Sequence, residues 1–149
     1  SGWLTRKWLC LAATLVALIM PLTATAQFVT GLAGGSGSSV GPGGALYVTE
    51  GFAGRISRVD PKTGEVTPFA TGLPPSIVGI GGAMDVAFIG STAYALVTLV
   101  GPDVGGNSIV GIYRVDGPNK FTVIADIGAF ALSNPPSTAF LFPLACSIR

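Results

Sequence analysis

The chain of 149 residues has no histidine. That one absence removes Ser-His-Asp and Cys-His nucleophilic centres, histidine-ligated zinc and a histidine general base together. Charge is sparse: eight Lys and Arg stand against seven Asp and Glu, for a formal net charge of +1. So few cations cannot assemble the basic stripe that neutralises phosphates, and no nucleic acid is expected as a partner. Cysteine is limited to Cys10 and Cys146, and tryptophan to Trp3 and Trp8. Beyond the amino-terminal segment no apolar run reaches the ~20 residues of a membrane-spanning helix before it meets Gly, Pro or a charge, and no stretch keeps a helical period. What is plentiful is glycine, 22 residues, and proline, 11. They punctuate short apolar runs that recur roughly every ten residues, the pattern of an all-β chain.

Arg6 and Lys7 stand ahead of an apolar run from Leu9 to Met20, followed by Pro21 and by the small-residue site Ala24-Thr25-Ala26 before Gln27. This is the order of a secretory signal peptide, with cleavage expected between Ala26 and Gln27. An apolar run of about a dozen residues falls short of the ~20 of a spanning helix. No membrane contact is therefore expected after cleavage, and the product should be secreted or periplasmic. Cys10 lies inside the run, behind Trp8 and Leu9, rather than at its end, which argues against lipidation. Processing would remove Trp3, Trp8 and Cys10 and leave Cys146 as the one thiol, so no internal disulfide can form. The chain starts at Ser1 rather than Met, and its amino-terminal end is read as incomplete or processed.

Two internal echoes organise the remainder. Phe28-Val29-Thr30-Gly31-Leu32 returns as Phe69-Ala70-Thr71-Gly72-Leu73, and Ile56-Ser57-Arg58-Val59-Asp60 returns as Ile112-Tyr113-Arg114-Val115-Asp116. These spacings, about 41 and 56 residues, with about 47 between Tyr47 and Tyr94, bracket one four-stranded propeller blade. In the first unit, strands are expected over Ala45 to Thr49, Arg55 to Asp60 and Val66 to Ala70. The turn Asp60-Pro61-Lys62-Thr63-Gly64 joins the last two: Pro pre-sets φ, the Asp carboxylate caps backbone N–H groups, and Gly accepts positive φ. The second unit predicts strands over Asp85 to Ile89, Thr92 to Leu99, Ile109 to Asp116 and Phe121 to Asp126, with a long Gly/Pro/Asn-rich loop from Val100 to Ser108 on one rim. Asp116, like Asp60, is expected to cap a turn, and Tyr47 and Tyr94 to lie between blades.

The fold expected is therefore all-β: a partial β-propeller of about two four-stranded antiparallel blades, with an amino-terminal closing strand, behind a signal-peptide helix. Its organisation is 1–26 signal peptide, 27–140 propeller (27–73 closing strand and first blade, 74–130 second blade) and 141–149 a tail read as aberrant or truncated. Gly37-Ser38-Ser39-Val40-Gly41 matches Gly-x-Ser-x-Gly in form. A nucleophile elbow, however, needs a strand before it, a helix after it and a nearby base, and none is predicted. Gly79-Ile80-Gly81-Gly82 reads as an inter-blade connector, because no crossover helix follows it. No catalytic residue is assigned.

Set out in this way, the chain resembles the ScyD/ScyE family of exported bacterial β-propellers, named for proteins associated with production of the pigment scytonemin. The likeness covers nearly all of Phe28 to Ala139. It is carried by Gly41-Pro42 through Glu50, Gly54 to Ala70, Met84-Asp85-Val86-Ala87-Phe88, Gly111 to Asp116, Ala125-Asp126-Ile127-Gly128-Ala129-Phe130 and Asn134-Pro135-Pro136. Single blade motifs of this kind are shared with NHL and senescence-marker-protein propellers. Two departures stand out. Gly35-Ser36-Gly37-Ser38-Ser39-Val40 replaces the apolar strand that opens the family's first blade, so the innermost strand is expected to be frayed or absent. Past Asn134-Pro135-Pro136 the family pattern continues, whereas Phe142 to Arg149 does not follow it, which suggests a frameshift or truncation.

The resemblance implies a non-catalytic binding or scaffold module whose ligand is an unknown small molecule, glycan or protein. The alternatives are a metal-dependent lactone hydrolase or lyase, and a truncated product without function. Related propellers with lactonase-type activity hold a divalent cation with oxygen ligands, and the nearest candidates here are Glu50, Asp85 and Asn107. Two blades present only part of the six or more oxygens a hard cation takes, so the reading carries no cofactor and no assigned metal site. Two isolated blades would also leave apolar faces uncovered, and self-association or aggregation is expected of such a fragment.

Overall fold

The computed structural model describes residues 29–135. The signal segment, its cleavage site at Ala26 and Gln27, Cys146 and the 141–149 tail lie outside the described residues. The described part forms eight strands and one short α-helix: β1 (Gly35–Val40), β2 (Leu46–Glu50), β3 (Arg55–Val59), β4 (Val66–Thr71), β5 (Gly82–Ile89), β6 (Thr92–Thr98), β7 (Gly111–Gly117), β8 (Lys120–Asp126) and α1 (Ile127–Ser133). Each run of four strands is one antiparallel sheet in chain order, β1-β2-β3-β4 and β5-β6-β7-β8. The inner strand of the second sheet, β5, lies against β1 and β2 of the first. Up-and-down sheets placed side by side by their inner strands are consecutive blades of a β-propeller.

The two ladders keep the register that the sequence repeat implies. Tyr47 stands opposite Arg58, and Tyr94 opposite Arg114. The last strand of each blade is bulged at the same place: Phe69 is the extra residue between Pro68 and Ala70, and Ile124 between Val123 and Ala125. The core fills the space between the sheets. Tyr47, Ile56, Ala70 and Leu73 from the first blade meet Val86, Ala93, Ala95, Val97 and Tyr113 from the second. The Tyr47 ring lies 4.9 Å from Phe69, edge-on, and 4.6 Å from Phe88, geometries that aromatic quadrupoles favour. At the outer edge the Thr71 amide donates to the Pro118 carbonyl at 2.7 Å, and the Thr71 hydroxyl bonds the Asn119 side chain, so the end of β4 is tied to the β7–β8 turn.

Four expectations are corrected. The Gly/Ser-rich segment expected to fray is a paired strand, β1, which completes a four-stranded first blade. A Cβ on Gly37 would stand 2.4 Å from the Asp85 carboxylate and 2.5 Å from the Met84 carbonyl oxygen. Glycine is there because another backbone approaches. Where the β1–β2 ladder shifts register, the Thr49 hydroxyl accepts from the Gly37 amide at 2.9 Å and donates to the Gly37 carbonyl at 3.2 Å. Secondly, α1 forms where no helix was expected. The Asp126 carboxylate caps it by accepting from the Ala129 amide at 2.8 Å, and Asn134 closes its other end. Thirdly, Asp116 lies within β7 and caps no turn; it accepts from Arg114 two residues back on the same face, at 2.7 Å, and from the Thr122 hydroxyl across the ladder. Finally, Tyr94 occupies the Tyr47 position but sits half-exposed on the far side of the second blade, because no described residue covers that face. The segment 29–32, read as part of a closing strand, pairs with no strand among the described residues.

Candidate functional site: a glycine-floored cleft on the loop rim

One rim gathers the approach to β1, the β2–β3 turn, the β4–β5 connector and the β6–β7 loop. Backbone bonds pin the connector to the β2–β3 turn: Gly72 and Leu73 donate to the Gly54 carbonyl and the Ser76 amide donates to the Gly51 carbonyl. Gly54 must be glycine, since its φ is +58° and a Cβ would meet the Leu73 carbonyl oxygen at 2.2 Å. The turn that carries it thus lies flat against the connector.

Beneath this rim Glu50 is fully buried, and every bond it makes is accounted for. Its carboxylate accepts from Arg55 Nε at 2.7 Å and Nη2 at 2.8 Å, from the Ser57 hydroxyl at 2.5 Å and from the Ala33 amide at 2.6 Å. Burial acts to raise the Glu50 pKa, but the hydrogen bonds from Arg55, Ser57 and Ala33, together with the Arg55 charge, outweigh it and hold the carboxyl below its ordinary value. The same pairing raises Arg55. A paired, fully bonded buried carboxylate is what the interior tolerates. Its effect is positional: it fastens the chain at Ala33 as it enters the first blade.

Directly above lies an open cleft of about 180 Å³, lined by Phe52, Ile80 and Met84 over a floor that includes Gly34, Gly51 and Gly81. The floor is tight: a Cβ on Gly51 would stand 2.5 Å from the Gly81 carbonyl oxygen, and one on Gly34 would stand 2.7 Å from the Phe52 ring. Phe52 and Ile80 are 58% and 60% exposed, and Ile77 and Val78 on the same connector also face solvent. No titratable side chain lines the cleft. Clustered apolar side chains in water, around backbone too close-packed to admit side chains, suit contact with another surface.

The three oxygen-donor candidates do not converge on this rim as one set. Glu50 is committed to Arg55, Ser57 and Ala33. Asp85 is exposed on β5 and accepts from the Val86 amide at 2.9 Å. Asn107 is exposed in the β6–β7 loop. Among the described residues no three His, Cys, Asp or Glu side chains gather at metal-binding distance, and no helix is long and apolar enough to cross a membrane. Ser39, the serine of the Gly-x-Ser-x-Gly match, lies in β1 and donates weakly to the Val40 carbonyl. Sequence reading missed the Glu50–Arg55–Ser57 group, whose signal was an acid and a base flanking a short turn between two strands, on one rung of the ladder.

No protein-family model and no curated protein matches the chain. Among solved structures, the PQQ-bound form of aldose sugar dehydrogenase from Streptomyces coelicolor is similar at 27% identity, over 64% of this chain and 30% of that one, with a TM-score of 0.48. The chain thus spans about 30% of the length of that structure.

Proposed function

We propose that this chain is an exported propeller protein of the ScyD/ScyE type whose loop rim binds a ligand without transforming it. The observation that carries this reading is the cleft: apolar, glycine-floored and free of titratable groups, above a carboxylate already committed to three partners. At about 180 Å³ it admits one ring or branched apolar group, less than the ~300–1,000 Å³ that encloses a whole small molecule. The ligand, whether a small molecule, a glycan or a protein side chain, would therefore insert one group beside Phe52 and Ile80 and leave the remainder on the rim. Arg6-Lys7, the apolar run and Ala24-Thr25-Ala26 support export to the periplasm or medium.

Titration with phenyl glucoside, followed through the backbone amides of Gly34, Gly51 and Gly81, tests the reading. Those amides should shift, Phe52→Ser should abolish the shifts, and a chelator should leave them unchanged. Chelator-sensitive hydrolysis of a lactone, with calcium-dependent shifts at Asp85 and Asn107 and none in the cleft, would favour the metal-dependent hydrolase instead.

A further inference from the structure

The internal blade interface has a second copy that no described residue covers. β5 covers the first blade by packing across β1, β2 and β3. It presents Val86 and Phe88 to a face made by Tyr47, Thr49, Ile56 and Phe69, with Phe88 4.6 Å from Tyr47 and 6.2 Å from Phe69. Register assigns each member of this contact a counterpart. The face recurs on the second blade as Tyr94, Leu96, Ile112 and Ile124. There Ile124 is 50% exposed, while the other three are half-buried, and Ile89, at the opposite edge of the same sheet, is 71% exposed. The covering strand recurs as β1, where Ser38 and Val40 take the places of Val86 and Phe88. Val40 points away from the second blade and is 68% exposed. One chain therefore carries both halves of a contact whose completed form it also contains.

We propose that a second copy of this chain occupies the outer face of the second blade, head to tail, with its β1 laid across β5, β6 and β7 as β5 is laid across β1, β2 and β3. Continuity with the internal interface selects this occupant, because the two surfaces differ and each matches the other rather than itself; a contact between unlike patches is heterologous. It is looser than its template for two reasons. Val40 is smaller than Phe88, and Asp85 stands where the first blade has Gly37, the residue whose missing side chain lets β5 approach.

Sedimentation velocity of the full chain and its variants tests this. Val40→Asp removes the head and Tyr94→Asp the tail, so each variant alone should be monomeric, whereas an equimolar mixture should form a dimer and go no further. Val40→Phe, which restores the Phe88 side chain, should tighten association about tenfold through the added apolar area, and Asp85→Gly should tighten it further. Ile124→Asp replaces Tyr94→Asp as the tail variant should the latter not fold. A wild-type chain that stays monomeric at high concentration, self-association that survives Val40→Asp, or a mixture that remains monomeric overturns the proposal.

Discussion

In the first blade Glu50 stands opposite Arg55 at the loop end of the β2–β3 ladder; in the second, the same rung holds Val97 opposite Gly111. Ser57, which donates to Glu50, is matched by Tyr113, which donates instead to the Ile109 carbonyl at 2.8 Å. Yet the two ladders share register, bulge and strand order. The difference follows from how each blade is entered. The first receives its chain at Ala33, whose amide finds its acceptor in Glu50. The second is entered through a connector already fastened by Gly51 and Gly54 carbonyls, and needs no carboxylate. The repeat specifies the sheet, and the rim pair answers to the segment that arrives there.

The sharpest way to break this comparison is to truncate the same tyrosine in each blade. Tyr47→Ala should destabilise by about 3 to 5 kcal/mol, the range for a large buried aromatic. Tyr94→Ala, on the uncovered face, should cost at most about 1 kcal/mol. Urea denaturation of both variants reads the contrast, and equal losses would mean that the two faces are equally covered. A smaller effect separates the rims. Glu50→Ala leaves the Ala33 amide and Arg55 without their acceptor and should cost about 3 kcal/mol, the low end for breaking a buried pair because Arg55 is part-exposed. Writing the rung of the second blade into the first, with Glu50→Val and Arg55→Gly together, should recover part of that loss, since removing both charges leaves none uncompensated.

Acid should produce the smallest change. The Glu50 pKa is lowered on folding from its ordinary 4.5, so its stabilisation is complete above that value and is lost as pH falls through the lower folded value. Asp60, held down by backbone bonds from Lys62 and Thr63, and Asp116, held down by Thr122 and Arg114, act in the same direction at the surface. Glu50→Gln should therefore flatten, without abolishing, the fall in urea midpoint below about pH 4.5.

Legibility in the sequence followed the range of the interaction. The Asp60–Gly64 turn was readable because its chemistry is local: Asp60 accepts from Lys62 and Thr63 at 2.8 and 3.1 Å, and Gly64 has φ of +72°. Register was readable because the repeat carries it. β1 was not, since the reason Gly37 is small lies in Met84 and Asp85 of another sheet, and a glycine that saves space looks in sequence like one that wastes entropy. α1 is too short to show a period, and only the Asp126 cap marks it. The rim cleft was hidden for the reason that hid β1: Gly34, Gly51 and Gly81 meet only in three dimensions.

The ends of the two outermost strands bear on how the protein fails as well as how it folds. β4 contains Pro68, which has no amide to offer a neighbour, bulges at Phe69, and at Thr71 spends its amide on the Pro118 carbonyl. β8 bulges at Ile124 and ends at Asp126, where the chain turns into a helix. The outer edges of the two sheets are thus poor templates for strand addition. Under stress the chain should cluster through its sheet faces into amorphous material, and should be slow to seed the ordered cross-β growth that open edges permit.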